Sequence, residues 1–321
     1  MPERLEKNVT RPAVLMPGAY PAWDMEPLAA AYTLHKLWEA ADGPRFISER
    51  AGSIRAIATR GELGASTELI AALPHLEIIA CYGVGTDAID LAAARSRGIR
   101  VTNTPDVLTG DVADLAVGLS LALMRRIPAA DAYVRSGAWA TAKMDLATRL
   151  YGRRVGVVGL GRIGGTVARR LSGFDVELAY FARAPRTGSP YRFFASLVEL
   201  AAWCDLMIVT LAGGSTTRGL IDADVLRALG PQGFLVNVSR GSTVDEPALL
   251  DALEQQAIAG AALDVFWNEP QIDPRFMALR NVLLQPHHAS GTIETRRAMG
   301  QLVRDNLQAH FEGRPLLTPV E

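Results

Sequence analysis

The chain has 321 residues, of which 49% are hydrophobic, and a formal net charge of −1. This length favours two domains over one, and the near-zero net charge gives no overall field that would attract nucleic acid or an acidic membrane. The two cysteines, Cys81 and Cys204, stand in apolar surroundings without close spacing, which indicates buried free thiols in a reducing compartment.

Targeting and membrane signals are weak throughout the chain. The charged segment Met1–Pro12 has no apolar core of the kind a signal peptide needs. The longest apolar stretch, Leu115–Met124, is too short to cross a bilayer. We therefore expect a cytoplasmic protein that binds no membrane, and the lack of interleaved basic and aromatic residues predicts no nucleic-acid partner.

Short apolar runs alternate with helical patterns, which is typical of α/β domains built on parallel sheets. In the first third we predict the strands Ala13–Met16, Ile54–Thr59, Leu76–Ala80 and Ile99–Thr102, with helices at Glu68–Leu73 and Ala88–Arg97. A long helix is predicted over Asp106–Arg126. The segment Ser136–Leu150 then breaks the pattern and is predicted to be irregular.

From Arg153 the alternation resumes with strands of buried character. The predicted strands are Val155–Val158, Val176–Phe181, Leu206–Thr210, Phe234–Val238, Ala261–Val265 and Val282–Leu284. The predicted helices are Ile163–Leu171, Leu197–Trp203, Ala223–Leu229, Glu246–Gln255 and the amphipathic Glu294–Phe311. Six strands joined by crossover helices indicate a dinucleotide-binding fold. We expect the last helix to return to the first domain, so that residues 1–104 and 291–321 form one domain and residues 105–290 the other.

A glycine-rich turn connects the first strand of the second domain to its first helix. Gly159, Gly161 and Gly164 have the spacing of a dinucleotide-binding turn, in which the glycines provide a tight turn, backbone approach to a pyrophosphate and close helix–sheet packing. The helix start at Arg162 and Ile163 would supply unpaired N–H donors. The alternative is a glycine-rich turn without a ligand.

The residues after the next strand indicate which cofactor is bound. An NAD enzyme places an acidic residue there for the ribose 2′-hydroxyl, but this strand ends in Ala182-Arg183-Ala184-Pro185-Arg186. Guanidinium groups pair well with a 2′-phosphate. We therefore predict NADP(H) in preference to NAD(H), with two solvated surface arginines as the alternative.

Three residues suited to the reduction of a keto acid follow strands of this same sheet. Arg240, Glu269 and His287 are far apart in sequence, yet the carboxyl ends of parallel strands meet at one edge, where ligands bind. A histidine can donate a proton near neutral pH, a carboxylate beside it favours the charged imidazole, and an arginine grips a planar carboxylate.

Several motifs resemble the D-isomer-specific 2-hydroxyacid dehydrogenase family, and within it most of all the glyoxylate/hydroxypyruvate reductases. The resemblance runs from about position 80 to the end of the chain. The matching stretches are GVGTDAID (Gly83–Asp90), VTNTP (Val101–Pro105), VGVVGLGRIG (Val155–Gly164), VNVSRGSTVDEPAL (Val236–Leu249), ALDVFWNEP (Ala262–Pro270) and QPHHASGTIETR (Gln285–Arg296).

The resemblance implies a role for each catalytic residue. His287 would give a proton to the keto oxygen while hydride is delivered to the same carbon. Glu269 would hold His287, and Arg240 would bind the substrate carboxylate and keto oxygen. The N–H groups of Val84 and Gly85 would bind the other side of that carboxylate.

The resemblance also implies cofactor and subunit contacts. Ser239 and Asp264 would belong to the cofactor site, with Asp264 contacting the nicotinamide amide. A homodimer is implied, in which Trp139 would reach the substrate pocket of the neighbouring subunit or be buried in the dimer contact. The two domains would enclose an active-site cleft that closes to exclude water.

Alternatives remain open for these residues. Arg240 could be a surface residue, Glu269 a turn cap before Pro270, Asp264 a structural residue at a strand end, and Gly83–Gly85 a turn only. His288 stands where the family pattern has an aliphatic residue. Since neighbouring side chains of extended backbone point to opposite faces, we expect one of the two histidines to face the substrate, and we predict His287.

The predicted function is the NADPH-dependent reduction of a small 2-keto acid, such as glyoxylate or hydroxypyruvate, to the D-2-hydroxy acid. NAD remains a possible cofactor, and no spacing of histidines and cysteines predicts a metal site. The alternative is a dinucleotide-sensing binding protein resembling the corepressors built on this scaffold, because a fold does not establish catalysis.

Overall fold

A computed structural model describes residues 11–320, so most of the segment on which the absence of a signal peptide was predicted lies outside the described residues. The described chain forms two compact units. One comprises the residues up to Leu108 together with those from Thr292 onward, and the other is Thr109–Gly291. Within residues 11–320, no helix is both long and apolar enough to span a membrane.

The first unit is built on a five-stranded parallel sheet. Its strands are β1 (Ala13–Met16), β2 (Thr33–Lys36), β3 (Ile54–Arg60), β4 (Ile78–Tyr82) and β5 (Arg100–Thr102). They lie in the order β2-β1-β3-β4-β5, which is the flavodoxin-like strand order. Its helices are α1 (Ala22–Ala31), α2 (Gly43–Arg50), α3 (Thr67–Ala72), α4 (Leu91–Ser96) and the C-terminal helix Ile293–Phe311.

The second unit is built on a seven-stranded parallel sheet. Its helices are α5 (Thr109–Met124), α6 (Ile127–Arg135), α7 (Arg162–Leu171), α8 (Leu197–Trp203), α9 (Ala223–Leu229), α10 (Glu246–Glu254) and α11 (Arg275–Ala278), which makes the C-terminal helix α12. Its strands are β6 (Arg154–Val158), β7 (Glu177–Phe181), β8 (Arg192–Phe194), β9 (Leu206–Val209), β10 (Phe234–Asn237), β11 (Gly260–Leu263) and β12 (Val282–Leu284).

The strand order of this second sheet is β12-β11-β10-β9-β6-β7-β8. The order reverses beside β6, which lies between β7 and β9. Ligands of open parallel sheets bind at the carboxyl ends of the strands at such a reversal. The fold therefore directs attention to the turn that follows β6.

The predicted α/β fold with two parallel-sheet domains is confirmed, but several elements differ from the sequence prediction. The second sheet has seven strands, whereas six were predicted. The additional strand, β8, was missed because it has only three residues and begins at the exposed Arg192. In the first unit α1, β2 and α2 were not predicted, since α1 contains Pro27 and β2 is partly exposed and carries polar side chains. The predicted helix Ala88–Arg97 begins only at Leu91.

The long helix predicted over Asp106–Arg126 is also shorter than expected. It ends at Met124, and Arg126 adopts a left-handed backbone conformation with φ of 53°, after which α6 begins. The segment Ser136–Leu150 contains one short 3₁₀ turn, Ala138–Ala140, and within this described stretch no other helix or strand.

Candidate active site

The β6–α7 turn has the shape needed to receive a dinucleotide backbone. Gly159 has a φ of 96°, and a Cβ built on it would lie 2.9 Å from Leu211 Cδ2. A Cβ on Gly164 would lie only 2.0 Å from the Gly159 carbonyl oxygen, so a side chain there would collide with the turn. At Gly161 a Cβ would meet no atom within 4 Å, which leaves the backbone open to a phosphate.

Arg186 brings a positive charge to this same turn. Its Nη1 donates to the carbonyl oxygen of Leu160, between the first two glycines. Its backbone N–H donates to the Tyr180 hydroxyl of β7 at 2.7 Å, which holds the loop in place. Arg183 is exposed in the same loop, after the end of β7. Both guanidinium groups thus belong to the loop where the ribose of a dinucleotide is bound in this fold.

His287 and Glu269 form a close pair at the carboxyl edge of the second sheet. The His287 Nδ1 and Glu269 Oε2 atoms are 2.6 Å apart, and both side chains are partly buried. The other Glu269 oxygen accepts the Phe266 N–H at 2.8 Å. The carboxylate is therefore oriented by the backbone of its own loop, and it occupies one nitrogen of the imidazole.

The electrostatics of Glu269 favour its charged form. Burial raises the pKa of Glu269, but the hydrogen bond and charge of His287, the Phe266 N–H and the charge of Arg240 lower it more, so the net shift is downward. Near neutral pH the carboxylate is ionised and accepts the Nδ1 proton. The Nε2 atom of His287 then remains for a substrate.

The backbone around His287 departs from the extended form assumed in predicting its orientation. His287 has a φ of 52°, in the left-handed region that is uncommon for residues other than glycine. Its neighbour His288 is exposed, and its ring lies against Gly291, where an added Cβ would be 2.3 Å from the ring. The two histidines therefore have different surroundings. The cause is the left-handed backbone at His287 and not the alternation of side chains along a strand.

Asp264 holds the loop that carries His287. Its carboxylate accepts the N–H groups of His288 and Ala289 at 2.7 and 3.0 Å, and its carbonyl oxygen accepts that of His287 at 2.8 Å. The side chain is buried, and burial raises its pKa against these hydrogen bonds. These contacts agree with the structural alternative for Asp264. Its contact with a nicotinamide stays a prediction.

Arg240 is placed by a close packing of two loops. A Cβ on the following residue, Gly241, would lie 2.0 Å from the Phe266 carbonyl carbon, so the Arg240 loop lies directly on the loop that leads to Glu269. The Arg240 carbonyl oxygen accepts the Asn237 side-chain amide at 3.0 Å. The half-buried guanidinium donates to the Ser239 carbonyl oxygen at 2.8 Å.

Supporting residues that the sequence did not single out lie behind this pair of loops. Buried Glu246 accepts the Trp267 N–H at 2.9 Å, and the Trp267 indole donates to the Val244 carbonyl oxygen at 2.8 Å. Asn237 also accepts the Ser239 N–H at 3.0 Å. Asn237 is the last residue of β10 and Glu246 the first residue of α10, and these positions were the signal that the sequence offered. The Ser239 hydroxyl itself donates to the Leu211 carbonyl oxygen at 2.8 Å.

The turn Gly83–Gly85 of the first unit has a defined orientation. The carbonyl oxygens of Gly83, Val84 and Gly85 accept, respectively, the Thr104 N–H at 2.9 Å, the Asn103 amide at 2.9 Å and the Cys81 thiol at 3.5 Å. The C=O and N–H of a planar trans peptide point in opposite directions. The Val84 and Gly85 N–H groups therefore point away from the Gly83 and Val84 carbonyl oxygens, which face Thr104 and Asn103. Such paired donors suit a carboxylate.

The other predicted substrate residue, Trp139, lies in the 3₁₀ turn Ala138–Ala140 of the second unit. Its side chain is 70% exposed. Ile127, Val134 and Leu146 of the same region are also exposed. The structure thus leaves Trp139 and other apolar side chains of this region exposed, and it does not decide between the two predicted roles of Trp139.

A dinucleotide turn, an ionised carboxylate paired with a histidine, and a neighbouring arginine define an oxidoreductase that uses a nicotinamide cofactor. The profile of the D-isomer specific 2-hydroxyacid dehydrogenase, NAD binding domain, matches residues 117–289. The chain belongs to the D-isomer-specific 2-hydroxyacid dehydrogenase family, as its motifs predicted.

Three known proteins similar to the chain are named as reductases. The chain is 47% identical over 289 residues to hydroxyphenylpyruvate reductase of Plectranthus scutellarioides, covering 90% of this chain and 92% of that protein. It is 48% identical over 295 residues to 2-ketogluconate reductase of Gluconobacter oxydans, covering 92% and 94%. The crystal structure of an NADPH-dependent glyoxylate/hydroxypyruvate reductase from Sinorhizobium meliloti, in complex with NADP and malonate, matches with a TM-score of 0.91 and 44% identity, covering 97% of each chain.

These comparisons support the enzyme class that the sequence predicted. They give no support to the alternative of a dinucleotide-sensing corepressor, since the three relatives are all named as reductases.

Proposed function

We propose that the protein uses NADPH to reduce a small 2-keto acid to the D-2-hydroxy acid. The observation that carries this proposal is the 2.6 Å contact between His287 and the ionised Glu269, on the sheet edge that also holds the glycine turn. The names of the three relatives share a 2-keto acid substrate, while their substrates differ in side chain. We include glyoxylate and hydroxypyruvate as the first substrates to test.

The proposed mechanism assigns the proton to His287. The ionised Glu269 accepts the Nδ1 proton and stabilises the imidazolium, so the Nε2 proton is available for the keto oxygen. A bound reduced nicotinamide would supply the hydride that the keto carbon receives. The keto group thereby gains one hydride and one proton, and His287 becomes neutral until solvent reprotonates it.

Arg240 and the first-unit turn are proposed to bind the substrate carboxylate. The Arg240 guanidinium lies close enough to Glu269 for its charge to lower the pKa of that carboxyl. It would pair with the substrate carboxylate and polarise the keto oxygen. The N–H groups of Val84 and Gly85 offer the donors needed on the other side of a carboxylate.

The preference for NADPH is proposed from the loop after β7. Residues 178–198 contain no Asp or Glu, while Arg183 and Arg186 both lie in this loop and Arg186 reaches the glycine turn. A 2′-phosphate carries charge that two guanidinium groups can bind, whereas a 2′-hydroxyl requires the missing acid. Arg162, Ile163 and Ser239 are proposed to line the remainder of the cofactor site.

The catalytic proposal is tested with a matched pair of histidine variants. Initial rates of NADPH oxidation with glyoxylate and hydroxypyruvate should fall roughly 10²–10⁴-fold in His287→Ala, the range for loss of a general acid. His288→Ala removes the neighbouring exposed imidazole and should stay within about threefold of the wild type. Equal losses in both variants, or a loss confined to His288→Ala, would contradict the assignment. Chiral analysis of the product checks the D configuration.

The cofactor proposal is tested by titrating the protein with NADPH and NADH. Replacing both Arg183 and Arg186 with alanine should weaken NADPH binding by roughly tenfold or more, because charge-assisted hydrogen bonds to the phosphate are lost. The affinity for NADH should change much less. A uniform loss for both cofactors would indicate damage to the turn instead of loss of phosphate recognition.

We also propose that the protein is a cytoplasmic homodimer. The dimer is supported by the exposed apolar side chains in the region of Trp139, which would be costly to leave in water on a monomer. Sedimentation velocity and fractionation of cells that express the full chain test the two parts of this proposal separately.

A further inference from the structure

A charged pair lies next to the Gly83–Gly85 turn, at the carboxyl end of β3. Arg60 is the last residue of β3 and is paired in register with Tyr82, the residue before the turn. The next residue, Gly61, packs on the turn itself, since a Cβ built on it would lie 3.2 Å from the Gly85 carbonyl oxygen. Residues 60–62 therefore form a wall beside the donors proposed for the substrate carboxylate.

The pair joins Arg60 to Glu62, with Nη2 and Oε1 2.6 Å apart. Both side chains remain exposed, at 44% and 42%. Exposed ion pairs contribute little to the stability of a fold. The pair is thus replaceable without a large structural cost, and its side chains are accessible to a small molecule.

The Arg60 guanidinium is close enough to two tyrosines for its charge to act on them. The Arg60 charge lowers the pKa of Tyr20 and Tyr82 against the burial that raises both, and the net pKa of Tyr82 is about 12. The two tyrosine hydroxyls donate to the backbone carbonyl oxygens of Thr59 and Arg296, at 2.8 and 2.6 Å. Both hydroxyl protons are already donated to carbonyl oxygens, so the two tyrosines are poor donors to a substrate.

A donor and an acceptor held side by side are complementary to a hydroxyl group. A hydroxyl can accept from Arg60 and donate to Glu62 in the same geometry, whereas a methyl group can do neither. A second carboxylate would gain from Arg60 but would be repelled by Glu62. The other cation near Tyr82 is Arg296, whose guanidinium carbon lies 6.0 Å from the ring centroid and which the structure shows half-buried.

We propose that the Arg60–Glu62 pair selects 2-keto acids whose side chain carries a hydroxyl group. This inference rests on the proposed function, because it concerns the side chain of the substrate reduced at that site. It assigns a specificity-determining role to two residues that take no part in the transfer of hydride or proton.

The test compares pyruvate with hydroxypyruvate, which differ by one hydroxyl. The ratio of their kcat/KM values, hydroxypyruvate over pyruvate, is measured with NADPH for the wild type and for Arg60→Met. The ratio should fall roughly tenfold, the size expected for losing a hydrogen bond from a charged group. The kcat/KM for glyoxylate, which has no side chain to recognise, is measured as well and should fall less than that for hydroxypyruvate.

Arg55→Met is the matched control, because Arg55 lies on the same strand and pairs with Glu77 at 2.6 and 2.9 Å on the surface. It should leave the ratio unchanged. Arg60→Gln is a second neutral variant in case the methionine protein does not fold, and Arg60→Lys should restore part of the ratio.

The outcomes separate the inference from the proposed function. An unchanged ratio in an active Arg60 variant overturns the role of the pair and leaves the reductase proposal intact. A wild-type protein that reduces none of the three acids overturns the proposed function and this inference with it. A fall in the ratio that also appears in Arg55→Met would show a general effect of surface charge and would likewise overturn the inference.

Discussion

Alanine substitutions at the glycines of the β6–α7 turn and the start of α7 should affect protein stability and cofactor affinity separately. Gly164→Ala places a methyl group 2.0 Å from the Gly159 carbonyl oxygen and 2.6 Å from Thr210 Oγ1. Overpacking of this kind costs about 1–3 kcal/mol or more, while alanine in place of a helical glycine contributes up to about 1 kcal/mol of stability. Because the closest atom is backbone that cannot rotate away, we expect a net loss of about 2 kcal/mol.

Two neighbouring positions serve as controls for this substitution. At Gly165 a Cβ meets nothing within 4 Å, so Gly165→Ala should raise the free energy of unfolding by about 0.5–1 kcal/mol. At Gly161 the added methyl also has open space, but that space is where a phosphate would approach. Gly161→Ala should therefore weaken NADPH binding by roughly tenfold or more while leaving the unfolding of the free protein nearly unchanged.

Thermal unfolding and fluorescence titration with NADPH measure the two effects independently. For a unit of this size about 1 kcal/mol corresponds to roughly 2–4 °C in Tm, so Gly164→Ala should unfold about 4–8 °C earlier than the wild type. The reasoning is refuted if Gly164→Ala and Gly165→Ala shift Tm in the same direction, or if Gly161→Ala binds NADPH as tightly as the wild type.

Three further substitutions address a buried ion pair, the catalytic pair and the apolar surface. Arg304→Met leaves the buried carboxylate of Asp24 without its partner and should cost about 3–5 kcal/mol at pH 7. Burial raises the pKa of Asp24 while Arg304 opposes the rise. Protonation of Asp24 at lower pH should therefore reduce the loss of unfolding free energy in the variant. A loss measured by urea unfolding that is equal at pH 7 and pH 5 would contradict the explanation. Because the pKa of Glu269 is lowered, this carboxyl should stay ionised from pH 8 down to the ordinary pKa range of a glutamate. Protonation of Glu269 should therefore cause no loss of kcat/KM at any pH above that range. Glu269→Gln should lower kcat/KM roughly 10²–10⁴-fold at pH 7, and wild-type rates in this variant would exclude the proposed role. Trp139→Ala should weaken the proposed dimer, seen by sedimentation velocity as dissociation at higher protein concentration than the wild type requires, and an unchanged dimer would place the interface elsewhere.

The parts of the fold that were predicted correctly share a physical cause. The strands at the centre of each sheet are continuous apolar runs, such as β6 and β9, because a parallel sheet with helices on both faces buries both sides of a strand. The two edge strands that were missed, β2 and β8, are partly exposed and lack such runs, whereas the edge strands β5 and β12 were predicted. The pairing of β2 and β8 depends on the strand beside them, so a local pattern could not reveal them.

The motifs along the chain were sufficient to predict the family, which the comparisons confirm. They also predict a dinucleotide turn and residues suited to reducing a keto acid, because each of these depends on residue type and on position after a strand. Only the tertiary structure decided which groups touch. It brings His287 within 2.6 Å of Glu269, directs both oxygens of Asp264 to backbone N–H groups, and pairs Arg60 with Glu62 beside the Gly83–Gly85 turn. Such contacts depend on loop conformations, including the left-handed backbone of His287, and on the close approach of separate loops. Neither is written in the local periodicity of a sequence, since both result from the packing of segments that lie far apart in the chain.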